Sequence, residues 1–284
     1  MKVSEALRSA SDRLAETSDT ARLDAELLMA HALGVTRSDM LLRHLDDHAP
    51  DGVAELVARR ASHEPLAYIV GYQEFYGRGF KVTPGVLIPR SDSETLIETA
   101  LAIAPNARRV LDLGTGSGAL LVTLLLELPQ AQGIGIDASA AAREVAEANA
   151  QAHGLIGAAA RFYERDWTRP GWTRDLGRFD LVVCNPPYVE DGAALEPSVR
   201  DYEPAAALFA GEDGLDDYAL LLPHLRSLLE EGGTALFEIG HRQGGAVSGL
   251  AREHGFSAEI RCDLADRPRC VIVAGEKREG GQNR

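Results

Sequence analysis

The chain has 284 residues, 45% hydrophobic and 25% charged, enough for one large domain or two smaller ones with a buried core. Its formal net charge of −14 disfavours binding to a phosphate backbone and favours a protein substrate, a basic one above all. No stretch approaches the roughly 20 apolar residues that cross a bilayer, Met1-Lys2-Val3-Ser4-Glu5 lacks a signal-peptide apolar region, and the three cysteines lack metal-ligand spacing, so a cytoplasmic protein without a metal site is expected.

Residues 1 to about 75 read as a small all-helical domain. Leu23, Leu27, Leu28 and Leu33 recur at helical spacing, Asp19 or Thr20 is placed to cap their helix, and Gly34 to stop it. Pro50-Asp51-Gly52 marks a turn before a further helix. No cluster of acid, base or nucleophile occurs here, which suits recognition rather than chemistry. Tyr68–Tyr72 and Phe75–Val82 then read as the two arms of a short hairpin, so that 76–91 forms a hairpin and linker. Ser91 or Ser93 is a candidate cap for a helix running to Ala104.

Over 92–275 the pattern alternates between strand and helix. Strands are expected at 108–113, 132–136, 160–163, 179–184, 233–239, 258–262 and 269–274. Helices are expected at 92–104, 118–128, 139–153, 216–231 and 243–254. Apolar strands without alternation, separated by helices, indicate a largely parallel sheet covered on both faces. Cys184, Cys262 and Cys270 fall in such strands and are expected as small buried thiols. The stretch 186–213 is long for a loop and reads as a lid. The polar tail 276–284 reads as flexible and carries Gly280-Gly281-Gln282.

Two motifs carry the chemistry. Val110-Leu111-Asp112-Leu113 leads into Gly114-Thr115-Gly116-Ser117-Gly118, a strand followed by a glycine-rich turn whose missing Cβ atoms let a ligand approach the backbone. Its glycine spacing differs from that of the dinucleotide fingerprint. Asp137, ending the next strand, is placed either to bond ribose hydroxyls or to cap the helix from Ser139. The second motif, Asn185-Pro186-Pro187-Tyr188, closes the strand 179–184. It offers a side-chain carbonyl acceptor, prolines without N–H groups, and an aromatic ring suited to a planar group. Such a point can hold an amide or aromatic amine with its nitrogen aimed outward. Both motifs, with Asp137 and Asp166, follow strand ends and should converge on one crevice.

These residues resemble the class I S-adenosylmethionine-dependent methyltransferases, with Asp112–Gly118 similar to their cofactor loop and Asn185–Tyr188 to the signature of members that methylate amide or amine nitrogen. Gly71–Gly77, Leu87–Arg90, Glu203-Pro204 and Gly211–Leu215 narrow the resemblance to the peptide-chain release factor glutamine methyltransferases; Ser91 departs from the proline usual there. The resemblance implies an α/β fold, a Rossmann-like seven-stranded methyltransferase domain preceded by a small all-helical N-terminal domain. It implies S-adenosyl-L-methionine as cofactor, S-adenosyl-L-homocysteine as product, and release factors as protein substrates, methylated at N5 of the glutamine in their Gly-Gly-Gln motif. Gly114, Thr115, Gly116, Ser117, Gly118, Asp137 and Asn185 would then hold the cofactor. Asp166 and Trp167 would flank its adenine, with a solvated loop acid and a core aromatic as the plain alternatives. Asn185, Pro186, Pro187 and Tyr188 would hold the substrate amide and carry the catalysis. Asp112 is expected to orient the glycine turn or to touch the cofactor indirectly, Phe75 and Arg90 either to line the substrate side or to serve hairpin packing and surface charge, and Glu203 and Glu238 lie near the crevice without an assigned role. A glutamine in a ribosomal protein, or adenine in nucleic acid, is the alternative substrate. Self-methylation of Gln282 is a remote possibility of the tail.

Overall fold

The structure is a computed structural model that describes residues 1–155, 157 and 159–275. The chain forms two compact units, one of Met1–Tyr72 with Leu195–Glu203, the other of Gln73–Ala194 with the chain from Pro204 onward. The tail 276–284, with its Gly-Gly-Gln, lies outside the described residues.

The first unit is helical: α1 (Val3–Leu14), α2 (Ala21–Leu33), α3 (Arg37–Arg43), α4 (Val53–Ala61) and α5 (Leu66–Val70). Leu7, Leu14, Leu28, Met29 and Met40 are fully buried at its centre. Thr20 does sit at the start of α2, but its hydroxyl donates to Asp24 Oδ1 at 3.0 Å instead of capping. Asp24 is buried and also receives Arg60 Nε at 2.7 Å, an ion pair tying α2 to α4. Tyr202 donates to the Ser62 carbonyl at 2.7 Å, fastening 195–203 to the end of α4.

The second unit opens with a hairpin, β1 (Tyr72–Phe75) and β2 (Arg78–Lys81), and α6 (Glu94–Ile103). The expected first arm at 68–72 is instead mostly α5: Pro65 starts a helical turn, and the hairpin reverses at Tyr76-Gly77, both with positive φ as a two-residue turn demands. Then follow β3 (Arg109–Leu113), α7 (Ala119–Glu127), β4 (Gln132–Asp137), α8 (Ala140–Ala152), β5 (Ala160–Glu164) and β6 (Phe179–Cys184). Within the long stretch after β6, α9 (Pro197–Arg200) belongs to the helical unit, and the two ends are stitched by a Val189–Phe209 bridge. The stretch expected as a lid is therefore divided: its middle belongs to the helical unit, and its two ends pair with each other.

The remainder is α10 (Asp216–Leu221), α11 (Leu225–Leu228), β7 (Leu229–Glu238), α12 (Gly244–Glu253), β8 (Phe256–Cys262) and β9 (Pro268–Gly275). The helix expected over 216–231 breaks at Leu222–His224, where Pro223 forces a tighter turn. From Leu229 the chain is already extended, pairing with Phe179. The seven strands run β5-β4-β3-β6-β7-β9-β8, with β5 to β7 parallel and β9 antiparallel to both its neighbours. Side chains alternate across the sheet. Val110, Leu181, Val183 and Leu236 pack with Leu96 and Ile97 of α6 and Leu121 of α7. Leu111, Leu113, Val182, Cys184 and Phe237 pack with Tyr218, Leu222 and Val247 on the other face. Cys184 and Cys270 are buried as expected; Cys262 is not, because it ends the edge strand β8.

Candidate active site

The chain runs outward from β3 through β4 to β5, then returns to place β6 on the other side of β3. Ligands of open α/β sheets bind at such a reversal, outside the carboxyl ends of the strands. Leu113 pairs with Cys184, so the residues that follow, Gly114 and Asn185, leave neighbouring strands side by side. One crevice is lined by Gly114, Thr115, Gly116, Ser117 and Asn185 together with Phe75, Arg90 and Ser93. The two motifs thus converge as their placement at strand ends requires.

The glycine turn is held from three directions. Gly114 and Thr115 donate their N–H groups to the Ile136 carbonyl, both at 2.9 Å. Thr115 Oγ1 donates to Asp112 Oδ2 at 2.7 Å, giving Asp112 the orienting role expected of it. Asn149 of α8 donates to the Ser117 carbonyl at 2.8 Å and exchanges two further bonds with the Lys81 backbone, so one buried amide locks the turn to the hairpin. Gly114, Gly116 and Gly118 all have positive φ. A Cβ on Gly114 would lie 3.1 Å from the Trp167 ring.

Asp137 accepts from Gly116 N–H through Oδ2 and from Ser139 N–H through Oδ1, each at 2.9 Å. Burial raises its carboxyl while these backbone donors work against the rise. The helix cap itself is Ser139, whose hydroxyl accepts from Ala142 N–H at 3.2 Å. Asp137 therefore joins the glycine turn to β4 and keeps unused lone pairs. Asp112 is buried, with Oδ1 lacking a hydrogen-bond partner among the described residues; burial pushes its pKa up to about 7.

Trp167 lies against Gly114, and its indole N–H donates to Asp217 Oδ1 at 2.6 Å. Thr168 and Arg169 occupy both Asp166 oxygens and hold its carboxyl below the usual range. It borders a separate depression with Ala138 and Glu164. Phe75 is buried, packing edge-on against Phe80, yet also reaches the crevice wall. Glu203 falls in the helical unit.

Around Asn185–Tyr188 the polar partners are long-range. Asn185 Nδ2 donates to Ser93 Oγ at 3.3 Å. The Tyr188 hydroxyl donates to Glu238 Oε1 at 3.2 Å. Burial drives Glu238 up to about 7, opposed by Ser93, Tyr188 and Arg269, and pushes the Tyr188 phenol up as well. The Tyr188 carbonyl accepts from Gln243 Nε2 at 3.0 Å; the same amide reaches the carbonyls of Asp213 and Gly214 at 3.3 and 3.2 Å. Ser93, a candidate cap by position, makes no capping bond and meets Asn185 instead. Asn149, Asp217 and Gln243 carry no sequence signal for these contacts. Nothing in their local pattern marks them, because each acts across a long stretch of chain.

The chain resembles the PrmC N-terminal domain over residues 5–71 and the methyltransferase small domain over residues 91–201. A release factor glutamine methyltransferase from Geobacter sulfurreducens is 44% identical over 266 residues, covering 90% of both chains. Those from Cereibacter sphaeroides and Moorella thermoacetica are 42% and 40% identical, covering 95% and 96% of this chain and 98% of each relative. The chain belongs to the release factor glutamine methyltransferase family. Among solved structures, an O-methyltransferase family protein from Burkholderia thailandensis is 16% identical with a TM-score of 0.51, covering 94% of this chain and 98% of that one. A methyltransferase from Pyrococcus furiosus is 14% identical with a TM-score of 0.52, covering 70% and 89%. Both show the fold alone. For this member of the glutamine methyltransferase family, the residues suit S-adenosylmethionine: a glycine turn whose backbone a ligand can approach at Gly116, and Asp137, a carboxylate able to accept from hydroxyls.

Proposed function

We propose that the enzyme transfers a methyl group from S-adenosyl-L-methionine to the side-chain amide nitrogen of the glutamine in the Gly-Gly-Gln motif of peptide chain release factors. The observation that carries this reading is the pairing of β3 with β6, which sets the amide acceptors of Asn185 beside the glycine turn. The names of the relatives supply the substrate and do not favour the ribosomal-protein or adenine alternatives. The helical unit, matched to the PrmC N-terminal domain, is assigned to release-factor recognition, and the cytoplasm is the compartment where such a substrate is met. Among the described residues no helix is long and apolar enough to cross a membrane.

Gly114–Gly118 and Asp137 would hold the cofactor's polar groups, with Trp167, and Asp166 at the neighbouring depression, toward its adenine. When bound, S-adenosylmethionine supplies an electrophilic methyl on sulfur and leaves as S-adenosyl-L-homocysteine. The protein's task is to make a poor nucleophile serviceable, because an amide lone pair is delocalised into its carbonyl. Asn185 Oδ1 accepts one substrate N–H, and a main-chain carbonyl of Asn185-Pro186-Pro187 accepts the other. Tyr188 packs on the amide plane. Its phenol, kept neutral by burial and committed to Glu238, serves as a fixed wall rather than a base. Acceptors aimed at the positive charge that develops on nitrogen contribute about 3 kcal/mol each in a dry site. Holding the nitrogen in line contributes on the order of 7 kcal/mol or more. Orientation therefore dominates, and the proton leaves after transfer, when the nitrogen is acidic.

Mass spectrometry of a release factor incubated with the enzyme and cofactor tests the reading. One added methyl on the Gly-Gly-Gln glutamine is expected; an unmodified peptide under these conditions refutes it.

A further inference from the structure

We infer that Gln243 is a positioning residue for methyl transfer, acting through Tyr188 by holding the peptide group that follows the ring. The inference rests on the proposed methyl-transfer reading of the crevice and deepens it. A ring that packs on the substrate amide serves only if its own backbone is fixed. On the entering side, Pro186 and Pro187 hold φ at about −65° and restrict the residue before each of them. On the leaving side stands Val189, which imposes no such limit, so the constraint there must come from elsewhere in the fold.

It comes from one buried side-chain amide in the turn between β7 and α12. Gln243 Oε1 accepts from the Gly240 N–H at 2.9 Å, which fixes Nε2 as the donor end, because a main-chain N–H cannot accept. Nε2 donates to the Tyr188 carbonyl at 3.0 Å and reaches the carbonyls of Gly214 and Asp213 at 3.2 and 3.3 Å, so its two hydrogens serve three acceptors. The other end of the same peptide group, the Val189 N–H, donates to the Leu208 carbonyl at 2.8 Å. Leu208 lies on the returning arm of the stretch after β6, and the base of that arm, Asp213-Gly214, is what Gln243 also holds. One amide therefore sets the outgoing and the returning arm together. Two glycines make room for it: a Cβ on Gly240 would lie 2.8 Å from Gln243 Oε1, and one on Gly214 2.7 Å from Nε2. Glu238, which takes the Tyr188 hydroxyl at 3.2 Å, ends β7 just before the same turn. Tyr188 is thus tied at its carbonyl and at its hydroxyl to one short connection, which leaves the ring plane little room to turn.

Steady-state kinetics on a release factor, with the folded state of each variant checked by its Tm, test the inference. Gln243→Met keeps the bulk of the side chain and loses both bonding ends. It is expected to lower kcat about tenfold, while the affinity for S-adenosylmethionine changes less than about twofold. Gln243→Asn keeps an amide that is a methylene too short to span Gly240 and Tyr188; it should show the same loss and carries the test should Gln243→Met fail to fold. In a Tyr188→Ala background, Gln243→Met should lower kcat less than about twofold further, because the ring it positions is gone. A purely structural role would give the same fractional loss with or without the ring. Wild-type kcat in either single variant, or losses that multiply in the double variant, would each overturn the inference. A wild-type enzyme that leaves the glutamine unmodified refutes the methyl-transfer reading itself; an active wild type with an equally active Gln243→Met refutes only the positioning role.

Discussion

Trp167 donates its indole N–H to Asp217 at 2.6 Å, and this bond holds the ring against the Gly114 turn. A net hydrogen bond of this kind contributes about 1 kcal/mol. Asp217→Ala should therefore weaken S-adenosylmethionine binding roughly fivefold by calorimetry. Asp217→Asn, which retains an acceptor, should leave it close to wild type. Unchanged affinity in the alanine variant would show that the ring needs no tether.

Asn185→Ala removes the side-chain acceptor proposed for the substrate amide. The expected outcome is a fall in kcat of about 10² to 10³, the cost of losing one transition-state acceptor. Binding of S-adenosylmethionine alone should change far less. Methyl transfer to the glutamine at wild-type rate would remove Asn185 from the mechanism.

Gly214 tests the clamp around Tyr188. It has φ +64, and a Cβ there would come 2.3 Å from the Tyr188 carbonyl and 2.7 Å from Gln243 Nε2. Gly192 shares the positive φ, at +83, but nothing lies within 4 Å. Gly192→Ala should cost only backbone strain, about 1 kcal/mol. Gly214→Ala adds overpacking of roughly 1–3 kcal/mol and should displace Tyr188 as well. Denaturant unfolding of the two variants, with activity alongside, separates these effects; equal losses would mean the loop simply yields.

Asp112 predicts a pH dependence of stability. Its pKa rises from 3.8 to about 7 on folding, because burial disfavours the charge. The folded state binds the proton more tightly than the unfolded one, so this contribution is fully present below 3.8 and is lost as pH rises through about 7. Glu238, raised from 4.5 to about 7, acts in the same sense. The Tm of the ligand-free protein should fall as pH rises from about 4 to about 7, and Asp112→Asn should make that fall shallower. An identical slope in the variant would show that Asp112 keeps its charge in the fold.

Arg60→Ala would leave buried Asp24 with Ser18 and Thr20 but no cation. Removing one partner of a buried pair typically costs about 3–5 kcal/mol. A loss near that size is expected in urea unfolding of the helical unit, whereas a loss below about 1 kcal/mol would mean that the hydroxyls suffice.

How far the sequence spoke depends on whether a signal was local. The parallel strands were legible because burial on both faces leaves unbroken apolar runs such as Leu181–Cys184. Gly114–Gly118 and Asn185–Tyr188 were legible because backbone geometry demands those residue types in place. Pro223 was present in the helical run, but apolar spacing outweighed its break. Tyr68–Val70 had strand-like residues, yet the turn at Tyr76-Gly77 moved the hairpin on. Asp166, expected beside the adenine from its place after a strand, is bonded by Thr168 and Arg169, both within three positions of it, a local pairing that apolar periodicity does not signal. The partners Ser93 and Gln243 meet Asn185 and Tyr188 only after the sheet has assembled, so no window of sequence contains the pair.

The order of the strands also bears on how the molecule comes into being. Strand β9 is not at the rim but sandwiched between β7 and β8, and among the described residues it is the only strand that pairs with β8. A nascent chain halted before Pro268 would leave β7 with a bare row of hydrogen-bonding groups and β8 with nowhere to dock, an invitation to sticky pairing with other chains. Arg269, which eases the charge on Glu238 beneath Tyr188, arrives with that same strand. Catalytic competence is thereby tied to the arrival of β9, and a product cut short before it would be expected to aggregate rather than to persist as a half-working enzyme.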